Sequence, residues 1–89
     1  MTYDTLYALF LEELVNIAPD LDPATIGKDD QLQDDLELDS MDVLNLVAAL
    51  HERLGVDIPE DDYVLIETPA KAATYLSTRL ENAERSQQK

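Results

Sequence analysis

Asp39-Ser40-Met41-Asp42-Val43-Leu44-Asn45-Leu46-Val47-Ala48-Ala49-Leu50-His51-Glu52-Arg53-Leu54-Gly55 reads as one helix from about Ser40 to Leu54. Gly55 is a good stop, since glycine takes the left-handed conformation that closes many helices. At about 100° per residue, Val43, Leu46, Val47, Leu50 and Leu54 form one compact stripe that faces a core. Met41, Leu44 and Ala48 lie to one side of that stripe, and Asp42, Asn45 and Glu52 line the far edge of this second strip. The helix thus has more apolar surface than a single core contact uses. Either another helix packs there, or a partner does.

Upstream, Tyr3, Leu6, Tyr7, Phe10, Leu14 and Ile17 share a stripe and predict a first helix from about Tyr3 to Ala18. Thr2 can cap it, and Pro19 ends it. From Pro19 to Asp39 the pattern dissolves into a long loop marked by Pro23, Gly27 and the pairs Asp29-Asp30 and Asp34-Asp35. Loops this long are usually functional or disordered. Ile26, Leu32, Leu36 and Leu38 argue for order, and a short helical turn fits around Asp30–Asp35. Downstream, Val56 and Ile58 point inward from a connector. Glu60 to Glu67 holds a short third helix; the run Tyr63-Val64-Leu65-Ile66 suits a strand equally well by periodicity, but a lone strand has nothing to pair with. Thr68-Pro69 is a cap followed by proline at the first helical position. The last helix runs to about Ala83, with Ala72, Ala73, Leu76, Leu80 and Ala83 inside and Tyr75 beside them.

These elements predict an all-α fold: a small four-helix bundle, three main helices plus a short third one, with a long loop between the first two. Residues 1–83 are expected to form one domain and 84–89 a polar, frayed tail.

The 89 residues carry 20 acidic and 6 basic side chains, a formal charge of −14, and no Cys. The missing Cys removes a disulfide framework, a thiolate zinc site and a cysteine nucleophile. So acidic a surface repels nucleic acid and anionic membranes and favours basic protein partners. The longest apolar run, Leu6 to Leu11, is far short of the roughly 20 residues that span a bilayer. No basic region precedes an apolar stretch at the N-terminus, so no leader peptide is expected, and a cytoplasmic monomer is.

Catalysis is disfavoured. His51 is the single histidine, with no Cys to activate and no Ser at helical contact spacing. The acidic stretch Asp29 to Ser40 fails as a calcium loop, because no start at Asp29, Asp30, Asp34 or Asp35 puts Gly at the sixth place. Weak, non-specific cation binding is all it predicts, and no metal site is assigned. Ser40 at a helix start reads first as a cap. The same position also exposes its hydroxyl to the positive end of the helix, where a phosphate would gain about 0.3–1 kcal/mol.

The segment Asp35-Leu36-Glu37-Leu38-Asp39-Ser40-Met41-Asp42 resembles the phosphopantetheine attachment site of acyl carrier proteins. The likeness continues through Leu50 to Pro59, Thr68-Pro69 and Ala72 to Leu76, and covers most of the chain. It implies a carrier, not an enzyme, with 4'-phosphopantetheine moved from coenzyme A onto Ser40 by a phosphopantetheinyl transferase. Asp39 and Met41 flank that serine. The arm's thiol would carry acyl groups as thioesters, a supply that suits a chain without cysteine.

The resemblance also gives the second helix a docking role toward acyl-loading and acyl-transfer enzymes. The face would be Met41, Leu44 and Ala48, with Asp42 and Glu52 as its charged rim. Between Asp29 and Glu67 thirteen acids face one base, Arg53, so basic patches on partners would be steered there. Leu44, Leu50, Ile58, Tyr63 and Ile66 match positions that shelter an acyl chain in the family; without one they are simply core. Tyr75 matches a tyrosine that packs on the bundle. Departures exist: Glu37 replaces a usual glycine, Asn45 and His51 replace frequent acids, Arg53 adds a positive charge, and Tyr63 is large where a small residue is common. They point to a specialised fatty acyl, polyketide or related carrier. The alternatives are an aminoacyl or peptidyl carrier, or an acidic interaction or weak Ca²⁺-binding module with no arm.

Overall fold

A computed structural model describes residues 2–87, with side chains through residue 81. It contains α1 (Tyr3–Ile17), α2 (Ser40–Leu54), a 3₁₀ helix (Glu60–Ile66) and α3 (Pro69–Gln87). No strand occurs among the described residues, so the Tyr63–Ile66 run is helical. Its tight 3₁₀ winding suits a one-element stop between Pro59 and Pro69.

α1 starts where Thr2 accepts a hydrogen bond from the Thr5 amide. Its inner face is Leu6, Leu9, Phe10 and Leu14. Leu9 was not part of the expected stripe, and Tyr3 leaves it: Tyr3 is 42% exposed and stacks on Tyr7. Burying a side chain of the Leu or Phe class stabilises by about 1.5–3 kcal/mol. Phe10, Leu6, Leu14, Leu46, Leu50, Ile66 and Leu76 are all fully buried in one cluster, which gathers all four elements round a single core.

α1 packs on both α2 and α3, and the 3₁₀ helix packs on α3. The α2 backbone stays more than 8 Å, Cα to Cα, from the 3₁₀ helix and from α3, and shares the core with them through side chains such as Leu46 and Leu50. The surplus apolar strip on α2 is therefore not covered by another helix: Met41 is 63% and Leu44 44% exposed, and Ala48 is exposed.

The long loop is ordered by its apolar anchors and by backbone bonds to distant elements. Ile26, Leu32 and Leu38 are buried and Leu36 is partly buried. The Leu32 amide donates to the Glu67 carbonyl at 2.9 Å, and the Ala70 amide to the Lys28 carbonyl at 3.0 Å. A turn at 32–35 closes where the Asp35 amide meets the Gln31 carbonyl. Asp30 and Asp35 each accept a backbone amide, from Gly27 and Gln31. These two acids serve the loop as turn caps.

α3 is capped by Thr68, whose hydroxyl accepts from the Lys71 amide. Ala72, Ala73 and Leu76 are buried, and Leu80 packs against the core. Ala83, assigned to the same stripe, lies outside the described side chains. The helix runs through Gln87 and passes the expected end at Ala83, since no Gly or Pro interrupts the residues that follow. No helix among the described residues is long and apolar enough to cross a membrane.

Candidate functional site

Ser40 is the first residue of α2, and its sequence role as a cap belongs instead to Asp39. Asp39 Oδ1 accepts from the Asp42 amide at 2.8 Å, and Asp42 Oδ2 accepts from the Asp39 amide at 3.3 Å. This reciprocal pair is a capping box built from two aspartates. Its consequence is chemical: the Ser40 side chain is exposed and makes no hydrogen bond among the described residues. The first amides of a helix have no partner within it. Those of Ser40 and Met41 find no acceptor among the described residues and stay available to an anion on the serine oxygen.

Ser40 also lines a cleft of about 510 Å³ between α2 and the 3₁₀ helix. Val43 and Leu44 form one wall, and Tyr63, Val64 and Ile66 the other. Leu32 closes it from the loop, where its backbone is bonded to Glu67. Gln31, Gln33, Asp34, Glu60 and Glu67 supply polar groups to the lining. The space exists because the α2 backbone stands more than 8 Å, Cα to Cα, from the 3₁₀ helix.

Of the five positions matched to a sheltered acyl chain, Leu44, Tyr63 and Ile66 meet at this cleft. Leu50 and Ile58 do not: both are buried in the core cluster and leave no face toward it. Val43 and Leu32 take their places. Leu32 carried a signal, as an apolar residue in a polar loop, but not its direction. Tyr63 stands in the wall and packs on the core, so the cleft stays on the outside of the bundle.

The α2 strip divides in the structure. Met41, Leu44, Ala48 and Glu52 are exposed, whereas Asp42 is partly buried and committed to the capping box. His51 is exposed, and no group of three or more His, Cys, Asp or Glu among the described residues is placed to hold a metal. Opposite the cleft, Tyr75 donates its hydroxyl to Asp62 Oδ2 at 2.7 Å and ties α3 to the 3₁₀ helix. Burial, and then this hydrogen bond, push the Tyr75 phenol up to about 12.

Residues 8–76 match the family model described as the phosphopantetheine attachment site. That span contains Ser40 and both walls of the cleft. The chain is 31% identical over 68 residues to an acyl carrier protein of Renibacterium salmoninarum, covering 76% of this chain and 84% of that one. It is 32% identical over 74 residues to an acyl carrier protein of a Sulfurovum species, covering 83% and 92%. It is also 35% identical over 74 residues to a non-reducing polyketide synthase of Preussia isomera, where the match covers 83% of this chain and 3% of the synthase.

Proposed function

The chain belongs to the acyl carrier protein family, a carrier and not an enzyme, and we propose that Ser40 is the residue that takes its 4'-phosphopantetheine. The observation that carries this reading is the uncapped serine: Asp39 does the capping, and Ser40 keeps a free, exposed hydroxyl at the helix start and at the cleft mouth. In the loading step the serine oxygen forms a bond to the phosphorus of coenzyme A that bears pantetheine. The pyrophosphate bond breaks, the nucleotide leaves, and the serine proton passes to a base of the transferase. When attached, the arm supplies the thiol that this cysteine-free chain lacks.

The chain's own residues do three things in this reading. The amides at the start of α2 face the phosphodiester with the positive end of the helix. Leu44, Tyr63 and Ile66 offer the cargo an apolar wall beside Ser40. Met41, Leu44 and Ala48 present a docking face to transferases and acyl-handling enzymes, with Glu52 as a free rim charge and Asp42 held in place. A pathway apart from housekeeping fatty acid synthesis is proposed on the strength of Glu37, Asn45, His51 and Tyr63. The similarity to a carrier-length piece of a polyketide synthase supports a polyketide or related acyl cargo.

Incubation with coenzyme A, Mg²⁺ and a promiscuous phosphopantetheinyl transferase tests the assignment. Intact mass is expected to rise by one phosphopantetheine, and Ser40→Ala to abolish the gain while leaving the helical circular dichroism intact. Modification of the Ser40→Ala protein, or none of the folded wild type, overturns it. Support for every step of ordinary fatty acid elongation, as good as that of a housekeeping carrier, would overturn the specialised role alone.

A further inference from the structure

The run Val64-Leu65-Ile66 sends three apolar side chains in three directions. Ile66 enters the core and Val64 lines the cleft beside Ser40. Leu65 does neither. It is 47% exposed and borders a second hollow, a shallow trough of about 570 Å³ between the 3₁₀ helix and the outer face of α3. Lys71, Thr74, Tyr75, Thr78 and Arg79 line its other side, at the three- and four-residue spacing that puts them on one helix face.

Charge sets the α3 wall of this trough apart from the 3₁₀ wall. From Pro69 to Leu80, α3 carries Lys71 and Arg79 and no acid, whereas residues 29–67 carry thirteen acids and one base. Lys71 is exposed. Arg79 is held in place, its guanidinium donating to the Asp57 carbonyl at 2.8 Å and lying 5.6 Å over the Tyr75 ring. The Lys28 carbonyl accepts the Ala70 amide, which brings a third basic residue to the start of the same helix. The trough's own lining holds Lys71 and Arg79 and no acid, and the carboxylate beside it, Asp62 of the 3₁₀ wall, is engaged by the Tyr75 hydroxyl at 2.7 Å.

We propose that this trough is a second docking site, for an acidic protein segment that inserts an apolar side chain against Leu65 and pairs its carboxylates with Lys71 and Arg79. The site is independent of Ser40 and its arm. Its partner has the opposite charge to the one expected at α2, so the two surfaces can be occupied together.

The probe is a synthetic amphipathic helical peptide with leucines on one face and glutamates elsewhere, added to the isotopically labelled full chain and followed by amide NMR shifts. Saturable shifts are expected at Leu65, Thr74 and Thr78. Leu65→Ser and Lys71→Glu are each expected to weaken binding about tenfold, equivalent to 1.4 kcal/mol. Both positions are exposed, so unchanged thermal melting shows that the variants fold. A peptide with lysines in place of the glutamates is expected to shift Met41 and Leu44 instead. The absence of saturable shifts overturns the proposal. So do shifts from the acidic peptide that centre on α2, the same trough shifts on dilution of the chain alone (a second copy as occupant), and equal binding of decanoate (a small amphiphile as occupant).

Discussion

Glu37 holds a backbone φ of 60° three residues before Ser40, and Gly55 holds 69° at the close of α2. Both lie in the left-handed region, which costs a residue bearing a Cβ about 1–2 kcal/mol. Glycine avoids that cost but loses more chain freedom on folding, worth about 0.4–1 kcal/mol. The balance predicts that Glu37→Gly stabilises the protein by about 0.5–1 kcal/mol, and that Gly55→Ala destabilises it by a similar amount. A Cβ at Gly55 meets nothing within 4 Å, so the second effect is purely one of backbone. Urea melts of the two variants check both signs, and a Glu37→Gly protein less stable than the parent refutes the strain at 37. The resemblance to acyl carrier proteins puts Glu37 where a glycine is usual. It did not show whether the chain had changed its turn to suit the glutamate or kept the turn and carried the cost. The φ value shows that Glu37 itself carries the left-handed conformation.

The second helix was legible from end to end because its apolar period is strong, its start follows Asp39-Ser40 and its stop is a glycine. The 3₁₀ helix was legible as a short element but not in kind, since consecutive apolar residues have no period to measure. The cleft was half legible. Leu50 and Ile58 differ from Leu44 and Ile66 only in which neighbour covers them, and that depends on α2 standing away from the 3₁₀ helix. What holds the 3₁₀ helix to α3 includes the Tyr75–Asp62 bond, and this contact has a pH signature. Burial first, then Asp62, raise the Tyr75 phenol from 10.0 to about 12, so the folded state favours the neutral ring. Its contribution is fully present below pH 10 and is lost as the pH rises from about 10 toward 12. Chemical denaturation between pH 8 and pH 11.5 should show the parent losing stability more steeply than Tyr75→Phe. Parallel slopes for the two proteins would show that the phenol titrates alike folded and unfolded.

The formal charge of −14 is distributed unevenly, and the pairing of Arg53 makes it more so. Arg53 is the only base between Asp29 and Glu67, yet its guanidinium lies 3.3 Å from Glu12 and 3.2 Å from Glu13, both on α1. The cleft beside Ser40 is lined by Asp34, Glu60 and Glu67 and by no base. We expect repulsion among these like charges to loosen the bundle when no partner covers them. Raising ionic strength from about 0.01 M to 0.15 M shortens the screening length from about 30 Å to 8 Å. A gain of about 1 kcal/mol then raises the melting temperature by about 4–8 °C in a domain this small. Mg²⁺ at matched ionic strength should raise it further, because a divalent ion can sit between two carboxylates at once. Scanning calorimetry across NaCl and MgCl₂ series measures both effects. If the melting temperature ignores salt, the acids are far enough apart to be solvated singly, and the charge then acts on the approach of partners without loosening the carrier itself.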